Sequence, residues 1–156
     1  MSIQETQAPS TPQWWYRNSR PSSDDCYFEN MCRIIFQTGL NWRVEKKWST
    51  INPAFCGFNV NKIAAFTEDD VNRLLNDKGV IRNKYKIHAI IENAKKFQQI
   101  IRQYGSFRAF LDSLDKSNNY QNILKKLEDT FDRVGPTTAA LFLYSVGEKI
   151  EHQQMY

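Results

Sequence analysis
The stretch Val134-Gly135-Pro136-Thr137-Thr138-Ala139-Ala140-Leu141 has the residue types of a helix start that can take an anion. Glycine is available for a cramped backbone, and proline is tolerated at the first helical position, where its missing N–H is an orphan anyway. The backbone N–H groups of that first turn point out of the helix, where a phosphate oxygen can accept from them. An ordinary helix start after a glycine turn has the same pattern, so the stretch alone leaves both readings open. A second feature is charge. Between Arg82 and Arg108 seven basic residues face the single acid Glu92, so the whole excess of the +4 formal charge sits in one segment. Such a segment suits a polyanion, and it equally suits the solvated face of an amphipathic helix. His88 lies on that segment and reads as a surface or boundary residue. No Ser/His/Asp or Cys/His arrangement, phosphate-binding glycine loop or metal-ligand spacing points to other chemistry.

The elements that must hold these residues are helices. Asp24 or Asp25 can cap a helix whose Phe28, Met31, Cys32 and Ile35 repeat at three and four residues, with Gly39 as its stop. A short helix around Val44–Thr50 is expected to break before Pro53, because proline disfavours helical geometry in the residue preceding it. Asn59 caps Val60–Phe66, and Thr67 with Asp70 forms a capping box for the helix carrying Val71, Leu74 and Leu75. The longest periodic run spans 83–104, with Ile87, Ile90, Ile91, Ala94, Phe97 and Ile101 on one stripe. Gly105 ends it, Ser106 caps the next helix, and Asn118 or Asn119 precedes a further helix carrying Ile123, Leu124 and Leu127. Sustained two-residue alternation is missing. The expected fold class is therefore all-α, a single compact domain of about eight short helices.

With 156 residues and 41% hydrophobic content the chain supports one core. Residues 1–13, polar and proline-bearing, read as a flexible N-terminal arm, and residues 14–156 as the domain. No run reaches the length of a membrane span and no secretory leader pattern opens the chain, so a cytoplasmic protein is expected. Cys26, Cys32 and Cys56 are an odd number without a CxxC pair and read as reduced core residues.

The segment from the preceding helix through Phe131-Asp132-Arg133-Val134-Gly135 into the following helix resembles the second half of a helix-hairpin-helix, a module that grips a DNA backbone without reading sequence. Together with Gln37-Thr38-Gly39-Leu40-Asn41-Trp42, and with Gly79-Val80-Ile81-Arg82 followed by Lys86-Ile87, Ala89-Ile90-Ile91 and Asn93-Ala94, it resembles the 3-methyladenine DNA glycosylase I family over roughly residues 26–152. The resemblance implies an enzyme that flips an alkylated purine out of duplex DNA and cleaves its bond to deoxyribose. Alkylation makes the base a cationic leaving group, so the site has mainly to extrude it, hold it and admit water. On this reading Trp42 stacks on the flipped base, Gln37 reads its edge, and Leu40 on the Gly39 turn wedges into the gap. Val134, Gly135, Thr137 and Thr138 hold the DNA backbone. For Trp42 a core position stays open.

The chain departs from the family at three places. The family's base-reading glutamate falls at Ile34, which offers no acceptor. The family's N-terminal aromatic segment has no clear counterpart, although Trp14, Trp15 and Tyr16 can supply an aromatic wall, core packing being the alternative. The family clips its termini with zinc, and only His152 falls on a ligand position, so no metal and no cofactor is expected. Glu151 is the only carboxylate near the register of the catalytic aspartate of related enzymes, and an exposed surface glutamate is the competing reading. The partner expected is double-stranded DNA with a damaged base, met by a monomer. A non-catalytic DNA-binding relative that has lost base excision is the alternative.

Overall fold
The computed structural model describes residues 13–38 and 41–151, leaving aside the side chains of Asn41 and Trp42. Eight α-helices and no strand are found among them, as the helical periodicities require: α1 (Asp24–Gln37), α2 (Asn41–Ala54), α3 (Val60–Ala64), α4 (Glu68–Leu75), α5 (Lys84–Tyr104), α6 (Phe107–Ser113), α7 (Ser117–Thr130) and α8 (Pro136–Ser145). No helix of the described residues is long and apolar enough to cross a membrane.

Asn59, Asn83 and Ser106 each accept a hydrogen bond from a backbone N–H in the first turn of the helix they precede. At α1 the cap is Ser23, which accepts from Cys26 N–H, and not Asp24 or Asp25, which lie inside the first turn. Thr67 and Asp70 close the capping box of α4. The central element is α1, which packs against α2, α3, α5, α6 and α8. Its Phe28 meets Phe97 of α5, which stacks on Phe107 of α6 at 4.3 Å between centroids and nearly parallel, and Phe107 reaches Phe142 of α8. Burying each such ring contributes about 2–3 kcal/mol, so this aromatic chain is what draws α1, α5, α6 and α8 together.

Two further expectations need correction. Helix α2 begins earlier and runs through Pro53 to Ala54 instead of breaking before the proline. Ile51 and Phe55 are fully buried on either side of it, and Asn52 is held by a hydrogen bond from its Nδ2 to Glu29. Packing there outweighs the proline's local preference, and the helix has only Ala54 left to run after the one N–H bond that the proline forfeits. At the start of α7, Asn118, Asn119 and Tyr120 are all left-handed, with φ of 54°, 53° and 68°. The asparagines therefore form the turn that precedes the helix carrying Ile123 and Leu127, as expected. Cys56 is exposed, so only Cys32 of the three cysteines is a buried core thiol.

The N-terminal segment is tied to the far end of the chain. Tyr16 donates its backbone N–H to the Ser145 carbonyl at 2.9 Å, and Trp15 packs on Tyr144. Gly147 has φ +82° and lies so close to the Ser19 carbonyl that a Cβ at 147 would collide with it. Glu148, with 3% of its side chain exposed, takes Arg20 at 3.1 Å, Lys116 at 2.9 Å and the Tyr120 hydroxyl at 3.0 Å. Arg20 also forks onto Asp112 at 2.8 and 3.1 Å. That bond, aided by Lys116, holds the Asp112 carboxyl at about 2 from an ordinary 3.8. A depressed folded-state pKa stabilises the fold above pH 3.8 and ceases to do so as the pH falls through 2. Asp112→Asn should therefore lower the melting temperature near neutrality by an amount worth under about 1 kcal/mol, since the pair is half-exposed. The difference should vanish at about pH 2, as thermal unfolding across pH will show.

Candidate functional site
The hairpin between α7 and α8 is built around one left-handed residue. Arg133 has φ +58°, which turns the chain, and Val134 buries its side chain beneath. Gly135 is the residue before α8 with φ −91° and ψ −172°, Pro136 opens the helix, Thr137 is exposed and Thr138 half-buried. The cramped backbone expected at Gly135 is not found: its φ suits any residue, and a Cβ there meets nothing within 4 Å. Asn93 fixes the hairpin from below. Fully buried in α5, its Nδ2 donates to the Asp132 carbonyl at 3.0 Å and its Oδ1 accepts the Asp132 N–H at 2.8 Å.

Asn93 of α5 thus carries the hairpin, and the first turn of the same helix carries the end of α1. Lys86 Nζ, nearly buried, donates to the carbonyls of Phe36 at 3.3 Å and Thr38 at 3.0 Å. Burial, and after it the charge of Arg133, hold the Lys86 ammonium below its ordinary pKa range. The expected wedge residues Gly39 and Leu40 follow Thr38 directly and lie outside the described residues, as does the side chain of Trp42.

On α1 the half-buried residues Cys26, Glu29, Arg33 and Gln37 recur at three and four residues and form one polar stripe. Glu45 of α2 gathers three donors over its end: Gln37 Nε2 at 2.7 Å, Arg33 Nη2 at 3.0 Å and Trp14 Nε1 at 3.0 Å. The Arg33 guanidinium lies 4.6 Å from the Trp14 ring and 4.7 Å from the Trp48 ring. Trp48 stacks in turn on Phe58 at 5.0 Å, and Phe58 on Phe55 at 5.2 Å. A column of five flat groups therefore runs from the core to the polar stripe. Glu29 accepts from Trp48 Nε1 at 2.9 Å and from Asn52 at 3.1 Å. The site so formed offers two carboxylates, an amide and indole faces, a set suited to a planar, electron-poor ring.

The profile of the family described as Methyladenine glycosylase matches residues 13–133. The chain belongs to the methyladenine glycosylase family. It is 28% identical over 146 residues to the DNA-3-methyladenine glycosylase of Haemophilus influenzae, covering 80% of this chain and 78% of that protein. To DNA-3-methyladenine glycosylase 1 of Escherichia coli it is 43% identical over 74 residues, which span 47% of this chain and 40% of that protein. The crystal structure of a 3-methyladenine DNA glycosylase I superposes with a TM-score of 0.69 at 30% identity, covering 85% of this chain and 82% of the other.

In this chain the site residues expected from sequence are only partly brought together. Gln37 is in the polar cluster. Ile34 is 3% exposed and belongs to the core. Tyr16 lies at the other end of the α1 stripe, where burial and then a hydrogen bond to Cys26 push its phenol up to about 12. Glu151 is exposed, and its backbone N–H is bound by Asn119 Oδ1 at 2.7 Å. His88 stands on the α5 surface, its Nε2 3.8 Å from Glu68. Among the described residues no group of three or more His, Cys, Asp or Glu side chains can hold a metal ion, and His152 lies outside them. Sequence reasoning missed Glu45, Arg33, Trp48 and Asn93. A signal for Glu45 existed: it follows Trp42 by three residues on one helix and so shares its face.

Proposed function
We propose that this chain is a DNA repair glycosylase that flips an alkylated purine of the 3-methyladenine kind and hydrolyses its N-glycosidic bond. The carrying observation is the Gln37–Glu45 pair at 2.7 Å, which supplies a carboxylate on the helix of Trp42 where Ile34 supplies none. Trp42 stacks on the extruded base, and Gln37 and Glu45 face its edge. Gly39 and Leu40 fill the gap in the duplex, while Val134, Gly135, Thr137 and Thr138 hold the backbone. The C1′–N bond breaks with its electrons passing to the ring nitrogen, which neutralises the cationic base. Water then adds to C1′ and releases a proton to solvent. A carboxylate near the developing sugar cation stabilises it more than the ground state, which is how it accelerates the step. The protein acts as a monomer on duplex DNA in the cytoplasm, with residues 14–156 as its working domain and 1–13 as an arm.

The test is incubation with methylated duplex DNA and separation of the released bases. Free 3-methyladenine is the expected product. Glu45→Gln should slow its release roughly ten-fold, the worth of one charged hydrogen bond, with DNA affinity unchanged. Tight binding of the damaged DNA with no base released would assign the chain to a non-catalytic DNA-binding role.

A further inference from the structure
Tyr85 is the one large hydrophobic residue strongly exposed among the described residues, at 75%. It is the second residue of α5, next to Lys86, whose ammonium holds the end of α1, and it lines a cleft of about 430 Å³ with Lys84, His88, Glu92, Asp132 and Arg133. The ring therefore stands beside the hairpin residues Asp132 and Arg133. The two carboxylates of the cleft are already engaged, Glu92 by Lys95 at 3.1 Å and Asp132 by Lys96 at 3.3 Å. Lys84 and Arg133 pair with no carboxylate among the described residues. An aromatic face flanked by uncompensated cations is the chemistry of a stacking platform on a nucleic-acid strand, where the cations follow phosphates and the ring meets a base.

We propose that Tyr85 stacks on a nucleobase left without its partner, and so senses the disrupted base pair from beside the hairpin. This rests on the DNA-docking part of the function proposed above and is independent of catalysis. The ring has no packing role to explain its exposure, and phosphates have the α8 N–H groups and the basic side chains to bind them.

The experiment compares the full-length protein with Tyr85→Ser and Tyr85→Phe on two duplexes, one intact and one with a tetrahydrofuran abasic site opposite 2-aminopurine. Binding is titrated with salt on each. Tyr85→Ser should weaken binding to the abasic duplex about ten-fold and to the intact duplex less than two-fold, with the slope of affinity against salt unchanged. Tyr85→Phe should bind like the parent protein, and quenching of 2-aminopurine fluorescence should be lost only in Tyr85→Ser. Equal losses on both duplexes, or no loss on either, overturns the proposal. Failure of the parent protein to bind either duplex overturns the underlying DNA-docking reading instead. Unchanged melting temperatures exclude misfolding as the cause.

Discussion
Replacing Gly135 by aspartate should weaken DNA binding by on the order of 100-fold or more while leaving the fold as stable as before. The first half of that expectation follows from position. The residue immediately precedes α8, and its side chain would stand before the first-turn N–H groups where a phosphate is proposed to sit. Two unit charges about 4 Å apart repel by roughly 4 kcal/mol near a protein surface, and the blocked phosphate contact adds to that. The second half follows from geometry: the backbone at 135 has φ −91°, and a Cβ meets nothing within 4 Å. Substitutions of this kind change stability by no more than about 0.5 kcal/mol. A salt titration of DNA affinity, with melting curves alongside, separates the two. Retained affinity would remove the hairpin from the DNA interface.

Asn93→Ala should lower stability by about 2–3 kcal/mol, or roughly 4–12 °C in melting temperature for a chain of this length. It deletes both hydrogen bonds to Asp132 and leaves that residue's N–H and C=O short of partners at a partly buried position. A cavity from the fully buried side chain adds to the loss. DNA affinity should fall as well at temperatures where the protein is folded, because the hairpin loses its support. A variant as stable as the parent would show that the clamp contributes nothing.

Most of the helical framework was legible because its signals are local. Capping side chains at Asn59, Thr67, Asn83 and Ser106 act within one turn, and the apolar stripe of 83–104 reports directly which face is buried. Pro53 misled because its local preference was overruled by Ile51 and Phe55, whose burial depends on partners distant in sequence. The site divides in the same way. The proposed hairpin is one contiguous stretch, so its residues could be named from the sequence. Glu45 could not, because the proposed acceptor was sought at position 34 along α1, whereas the carboxylate beside Gln37 comes from the neighbouring helix. Ile34 offers no acceptor, and its side chain is buried in the core. The network of Arg20, Asp112, Lys116 and Glu148 draws on three separate segments, and only the i,i+4 spacing of Asp112 and Lys116 is visible within one of them.

Gly147 and Gly135 would answer differently to selection. At 147 the fold itself forbids a side chain, since a left-handed backbone is pressed against the Ser19 carbonyl, so every lineage that keeps this architecture must keep that glycine. At 135 the isolated molecule has room, and on the proposed function only bound DNA makes the residue necessary. A lineage that abandoned DNA would therefore be free to drift at 135 while remaining fixed at 147, and the pair together would date the loss of one constraint against the persistence of the other.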